Sequence, residues 1–229
     1  MMNLKLVLTC SALALSLATP TLLPRSANPT PPTIPFDEVS MTIEVNATAV
    51  DAGVILFSDT EERLHRIKIQ DPSGNVVYQM TSSDAAGLGL TEISSETAEP
   101  DITTAFVAYP EGDYTFTGET FDGTLVTGVA NLSHSVPDAP EIEEPEDGER
   151  LSLKDVKIKW ELDEDVDHYW IELEQEEPPV NFTIQLQPGI HKFKIPSQVL
   201  QKHSVYHLGV GAVGDNGNAT VSQVVFETK

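Results

Sequence analysis

Apolar and polar residues alternate over residues 39–46, with Val39, Met41, Ile43 and Val45 set between Ser40, Thr42, Glu44 and Asn46. A period of two marks a strand with one face on a core and the other on water. GVILF at 53–57 is continuously apolar and reads as a second strand. Residues 66–70 and 76–80 flank DPSGN at 71–75, and that spacing and turn chemistry predict a hairpin. Residues 104–109 read as a further strand. PEGD at 110–113 turns into Tyr114 and Phe116, and Asp122 with Gly123 turns into a strand over 125–132. No amphipathic helix is evident in this half. Residues 82–101 read as one long connection, a length typical of functional or disordered loops.

The alternation resumes after residue 150. Val156, Ile158, Trp160 and Leu162 share one strand face, and Tyr169, Ile171 and Leu173 share another. Phe182, Ile184 and Leu186 follow, then Phe193 and Ile195, and residues 196–202 suit one helical turn. Tyr206, Leu208, Val210 and Ala212 line the next strand, a Gly/Asn/Asp turn follows, and a β-rich run closes the sequence. Many short strands joined by turns predict an all-β chain of two β-sandwich domains in tandem. Prolines and acids crowd residues 134–150, which places the boundary there. The expected division is a signal peptide over 1–18, a Pro/Thr-rich linker over 19–35, and sandwiches over 36–136 and 137–229.

The leader reading rests on Lys5, followed by an apolar stretch over 6–18 that is too short for a membrane span. Ser16 and Ala18 suit cleavage after Ala18. Cys10 lies in a poor lipidation context, because VLT at 7–9 precedes it and the apolar run continues beyond it. With Cys10 removed the mature chain has no cysteine, so its cores hold by packing alone. A secreted or periplasmic protein without a transmembrane segment is the expectation.

Charge narrows the partners. Residues 36–136 carry 17 acids against 3 bases, and residues 137–229 carry 19 against 8, within a chain of net charge −23. Such a surface repels phosphate backbones, so nucleic acid is not an expected partner. It suits solubility in salt, cations or a basic partner. The three first-domain bases, Arg63, Arg66 and Lys68, gather with His65 and read as countercharges or a docking point.

Trp160 and the L-x-x-x-x-x-Y spacing from Leu200 to Tyr206, with Leu208 and Val210 beyond, carry a resemblance to fibronectin type III domains. It covers 137–229. It implies a buried Trp and a corner at which the Tyr206 ring joins the core while its hydroxyl bonds backbone at the turn. Lys202 stands where the family often has Pro, and DNG at 215–217 is not an RGD sequence. In the first half, RIKIQDPSGNVVYQM and AYPEGDYTFTGETFDG resemble hairpins and closing strands of bacterial immunoglobulin-like modules. The whole is similar to uncharacterised exported bacterial proteins that pair two such modules. Neither resemblance brings catalytic residues with it.

Candidate chemistry follows from residue types. No G-x-S-x-G, H-E-x-x-H, P-loop or dinucleotide glycine motif occurs. Trp170 lies between Tyr169 and Ile171, so it faces away from the core set, with Glu172 and Glu174 on its side. An outward indole covers the sandwich, packs on the other domain, or stacks on a sugar or partner. Asp163, Asp165 and Asp167 alternate in a loop, as oxygen ligands for Ca²⁺ do, but lack the glycine and terminal Glu of an EF loop; solvated loop charge is the simpler reading. Asp215-Asn-Gly-Asn218 is a second, weaker cluster that is more simply a β-turn. His203 and His207, four apart, with His168, raise a Cu²⁺ or Zn²⁺ site against plain surface histidines. Asn46, Asn131, Asn181 and Asn218 begin N-x-S/T triplets, meaningful only in a host that glycosylates them.

These features favour a non-catalytic binding or adhesion protein that contacts an envelope protein or polysaccharide through Trp170, Glu172 and Glu174. A small hydrolase or enzyme accessory at the domain junction, using Asp84, Glu92 and His134, is one alternative. A Ca²⁺-stabilised structural spacer is the other.

Overall fold

The computed structural model describes residues 31–83, 87–162 and 166–229. The expected leader, and the linker as far as residue 30, lie outside them. The first half forms β1 (Thr33–Pro35), β2 (Glu38–Asn46), β3 (Asp51–Gln70), β4 (Val76–Thr81), β5 (Leu90–Glu96), α1 (Ile102–Ala108), β6 (Gly112–Thr120) and β7 (Leu125–Leu132). The second forms β8 (Ile142–Glu144), β9 (Glu149–Leu151), β10 (Lys157–Trp160), β11 (His168–Gln175), β12 (Val180–Leu186), β13 (Lys192–Lys194), β14 (Val205–Val213) and β15 (Ala219–Thr228).

Two hydrophobic cores result. One collects Met41, Ile43, Val54, Leu56, Ile67, Ile69, Tyr114, Phe116 and Leu132. The other collects Val156, Ile158, Trp160, Tyr169, Ile171, Leu173, Tyr206, Leu208, Val210 and Phe226. Both sets are the alternating positions of the sequence, buried because a strand sends every second side chain to one face. The chain is therefore all-β, two sandwiches in tandem.

In the first, immunoglobulin-like sandwich, β3 serves both layers. Its start, Asp51 to Asp59, pairs with β2 and β5; its end, Leu64 to Gln70, pairs with β4 and β6. The exposed Glu61-Glu-Arg63 segment lies where it changes partners. β6 pairs with β7, and β1 joins β7 in parallel. The second sandwich stacks a β13–β10–β8 sheet against the order β12–β11–β14–β15, a fibronectin type III-like arrangement. β9 adds to β15 in parallel.

Three sequence expectations need correction. The supposed strand at 104–109 is α1. Ile102, Ala105, Phe106 and Tyr109 pack on the core at a spacing of i, i+3, i+4 and i+7, which is helical. Asp101 caps this helix, accepting from the Thr104 amide at 3.1 Å and the Thr104 hydroxyl at 2.6 Å. The supposed long connection at 82–101 contains β5, which seats Ile93 in the core against β3. Leu162 lies beyond the end of β10 and is 42% exposed, because only Val156, Ile158 and Trp160 of its set reach the core.

The corner at Tyr206 is present: its hydroxyl accepts from the Gln201 amide at 2.7 Å. Tyr114 makes the equivalent corner in the first sandwich, donating to the Pro110 carbonyl at 2.9 Å. Burial, with Asp71 and Tyr109 adding, pushes the Tyr114 hydroxyl up to about 12, so it stays a donor.

The sandwiches share one sheet. β2 pairs in parallel with β15, Glu44 opposite Ala219 and Asn46 opposite Val221. A continuous order β5–β3–β2–β15–β14–β11–β12 results. The β14–β15 turn reinforces it. Gly217 adopts φ +81°, which lets Asn218 tuck inward at 1% exposure. Asn218 donates to the Ser133 and Ser135 carbonyls at 2.7 and 2.8 Å and accepts from the Ile43 amide at 2.9 Å. The Thr220 hydroxyl donates to the Pro137 carbonyl at 2.7 Å.

Candidate functional site

The outer face of this shared sheet carries Trp170. Along the ladders Trp170 lies opposite Gly211, Gly211 opposite Val221, and Val221 opposite Asn46. Glu172 lies in the next row, opposite Gly209, which lies opposite Gln223. Residues that pair across strands share a face, so Trp170 and Glu172 face away from Tyr169, Ile171 and Leu173, as the sequence predicts.

Two glycines make a seat for the indole. A Cβ on Gly211 would lie 2.2 Å from Cε2 and 2.3 Å from Nε1 of Trp170. At Gly209 the ring is 3.5 Å from the Cβ position. Trp170 therefore lies down across β14, half-buried, rather than standing out from the sheet. Val221 beside it is only 2% exposed. Sequence reasoning found Trp170 but missed its seat. The signal was available in the G-x-G of Gly209 and Gly211, inside an otherwise apolar strand.

Glu172 and Glu174 follow the indole on the same face of β11, both on its C-terminal side. Burial first, and Glu174 second, push the Glu172 carboxyl above the usual carboxylate range. Asn181 of β12 donates to Glu174 at 3.2 Å. Across the sheet Glu44 continues the acidic character. Burial pushes its carboxyl up to about 7, with Glu96, Glu99 and Glu172 adding. An aromatic surface edged by carboxylates can stack on a pyranose ring and accept hydrogen bonds from its hydroxyls.

Other candidates fall elsewhere. Asp163 and Asp165 lie outside the described residues, and Asp167 pairs with His168 Nδ1 at 2.8 Å. Among the described residues no three His, Cys, Asp or Glu converge to hold a metal ion. His203 precedes β14 in a left-handed conformation, φ +56°, so it does not share a strand with His207 as expected. Asp84 lies outside the described residues. Glu92 belongs to β5 opposite Asp59. The His134 ring stacks on Phe106 at 4.1 Å and bonds the Tyr109 carbonyl at 2.8 Å, which makes it part of the first sandwich's packing. The junction holds an open groove of about 460 Å³, lined by Pro137, Asp138, Asp215 and Asn216 among others. Of the first-domain bases, Arg66 pairs with Glu119 at 2.6 Å and Arg63 donates to the Gly87 carbonyl at 2.9 Å. Asn218 of the fourth N-x-S/T triplet has its amide occupied in the junction.

Among the described residues no helix is long and apolar enough to cross a membrane. No family model matches the chain, and no curated protein matches it. Solved structures similar to it include the FN1–FN3 domains of chicken CNTN1, at 12% identity and a TM-score of 0.34, covering 86% of this chain and 68% of that one. A two-domain fibronectin type III segment of chicken tenascin matches at 10% identity and a TM-score of 0.33, covering 83% and 97%. A tetra-tandem repeat from the extending region of a large adhesion protein matches at 16% and 0.27, covering 82% of this chain and 48% of that one. The fibronectin type III-like character of the second sandwich rests on its own strand order, its buried Trp160 and the corner at Tyr206.

Proposed function

We propose that this chain is an exported, non-catalytic binding or adhesion protein of the periplasm or cell surface, and that it contacts an envelope protein or polysaccharide through the outer face of β11. One observation carries the reading: Trp170 lies flat on Gly209 and Gly211, on an outer face that Glu172 and Glu174 continue along β11. A core aromatic needs no glycine seat on the solvent side of its sheet. An indole held flat and partly exposed is already ordered for a ligand, so little rotamer entropy is lost on contact. Glu172 and Glu174 then supply acceptors for hydroxyl or amide donors of the ligand. The apolar stretch at 6–18 supports export.

The test is binding of the purified mature chain to a glycan array and to envelope-protein extracts, repeated with Trp170→Ala. Retained far-UV circular dichroism with lost binding is the expected result. Undiminished binding by the variant overturns the role of this face. A Glu172→Gln/Glu174→Gln variant separates the acceptors from the ring.

A further inference from the structure

The smaller sheet of the second sandwich carries a different chemistry on its outer face. β10 reads Lys157-Ile-Lys-Trp160 and β13 reads Lys192-Phe-Lys194. Ile158, Trp160 and Phe193 belong to the core, so the four lysines face outward. The register sets Lys157 opposite Lys194 and Lys159 opposite Lys192. Like charges placed directly opposite destabilise a ladder. Lys154 joins them beside Lys194, on the rim of a shallow groove. Five of the eight bases in residues 137–229 thus collect on one face, in a chain of net charge −23. Folding alone gives no reason for that arrangement.

β8 shows how this face accepts compensation. It lies antiparallel beside β10, and its Glu144 accepts from Lys157 Nζ at 2.9 Å while Glu143 pairs with Lys159. The other side of the sheet has no such strand. β13 is an edge, with β10 on one flank and no strand on the other among the described residues. Lys192 and Lys194 are exposed, and among the described residues no ion pair or side-chain hydrogen bond engages them. Ile195 donates to the Val156 carbonyl, and Trp160 donates to the His191 carbonyl. Backbone groups alternate in direction along a strand, so those of Lys192 and Lys194 point to the free edge.

We propose that β13 is a docking edge for an extended acidic segment of a partner protein, which adds as a strand and sets its carboxylates against Lys192 and Lys194 as β8 sets Glu143 and Glu144 against Lys159 and Lys157. Charge complementarity selects the partner, and the free backbone edge selects a peptide. A polyphosphate or sulfated glycan would satisfy the ammonium groups but leave the edge amides and carbonyls unpaired. This surface is on the opposite sheet from Trp170, so Trp170→Ala leaves it intact, and either reading can fail without the other.

The experiment uses the full mature chain and a fluorescein-labelled heptapeptide with glutamate at alternate positions (EVETEVE). Anisotropy should show saturable binding that weakens with added salt. K192Q/K194Q should weaken it by about tenfold or more, whereas K202Q/K229Q, with the same change in charge, should not. The peptide should also slow hydrogen exchange of the Lys192 and Lys194 amides. All four lysines replaced are exposed, and unchanged circular dichroism confirms folding. Four results overturn the proposal: no saturable binding, equal loss in K202Q/K229Q, equal affinity for a backbone N-methylated peptide, or tighter binding of a polyphosphate or sulfated glycan.

Discussion

Asn218 Oδ1 accepts a hydrogen bond from the backbone amide of Ile43, 2.9 Å away and 175 positions earlier in the chain. The same side chain donates to Ser133 and Ser135, so one buried amide ties the last strand pair of the second sandwich to the first sandwich and to the connection between them. Asn218→Ala leaves the Ile43 N–H and the Ser133 carbonyl without this partner, each worth about 1–3 kcal/mol when orphaned, while the Ser135 carbonyl keeps its bond from Asn216. Water reaching the gap offsets part of this, and a loss of about 3 kcal/mol is expected in urea unfolding. The single transition should also split in two as the sandwiches uncouple. An unchanged midpoint would remove Asn218 as the clasp.

Gly211 and Gly209 should respond differently to a methyl group. At Gly211 the new Cβ would occupy the space of the Trp170 indole, so Gly211→Ala must lift the ring. Overpacking of this kind costs about 1–3 kcal/mol. Tryptophan emission should shift to the red, since Trp160 stays buried and only Trp170 moves. At Gly209 the contact is an ordinary 3.5 Å, and Gly209→Ala should leave emission unchanged. Equal spectra for the two variants would contradict the seat described for Trp170.

Glu44 makes stability depend on pH. Its carboxyl is raised from an ordinary 4.5 to about 7, by burial first and then by Glu96, Glu99 and Glu172. Below pH 4.5 it is protonated in both folded and unfolded chains, and its contribution is fully present. As pH rises toward 7 the unfolded chain ionises first, so stability is lost over that interval. Glu44→Gln should therefore gain about 2 kcal/mol over the natural chain at pH 8, after allowance for solvent screening, and little at pH 4. Thermal melts at the two pH values check this, and an equal gain at both would exclude titration as the cause.

Tyr114 and Tyr206 hold two corners by opposite roles, one hydroxyl donating to a carbonyl and the other accepting from an amide. Tyr114→Phe and Tyr206→Phe should each lose about 1 kcal/mol. They belong to separate cores, so the double variant should lose the sum. Strong non-additivity in urea melts would mean that the two corners communicate through the shared sheet.

The period-two runs were enough to place β2, the β3–β4 hairpin, β7, β11 and β14, because a strand's side chains alternate whatever the strand pairs with. The outward aspect of Trp170 follows from the same parity, and the Tyr206 corner from its spacing to Leu200. Local pattern failed where two periods overlap. Ile102, Thr103, Thr104 and Val107 favour strands, yet Ile102, Ala105, Phe106 and Tyr109 meet the core at a helical spacing. β5 was hidden because its polar LTEISSE run buries only Ile93. Only the tertiary structure decided which distant residues act on one another: the glycines under Trp170, the facing lysines of β10 and β13, Glu172 on the charge of Glu44, and Asn218 on Ile43. Those pairings join residues tens to more than a hundred positions apart, and register between distant strands is set by the packing of whole sheets, which a short window of sequence does not carry.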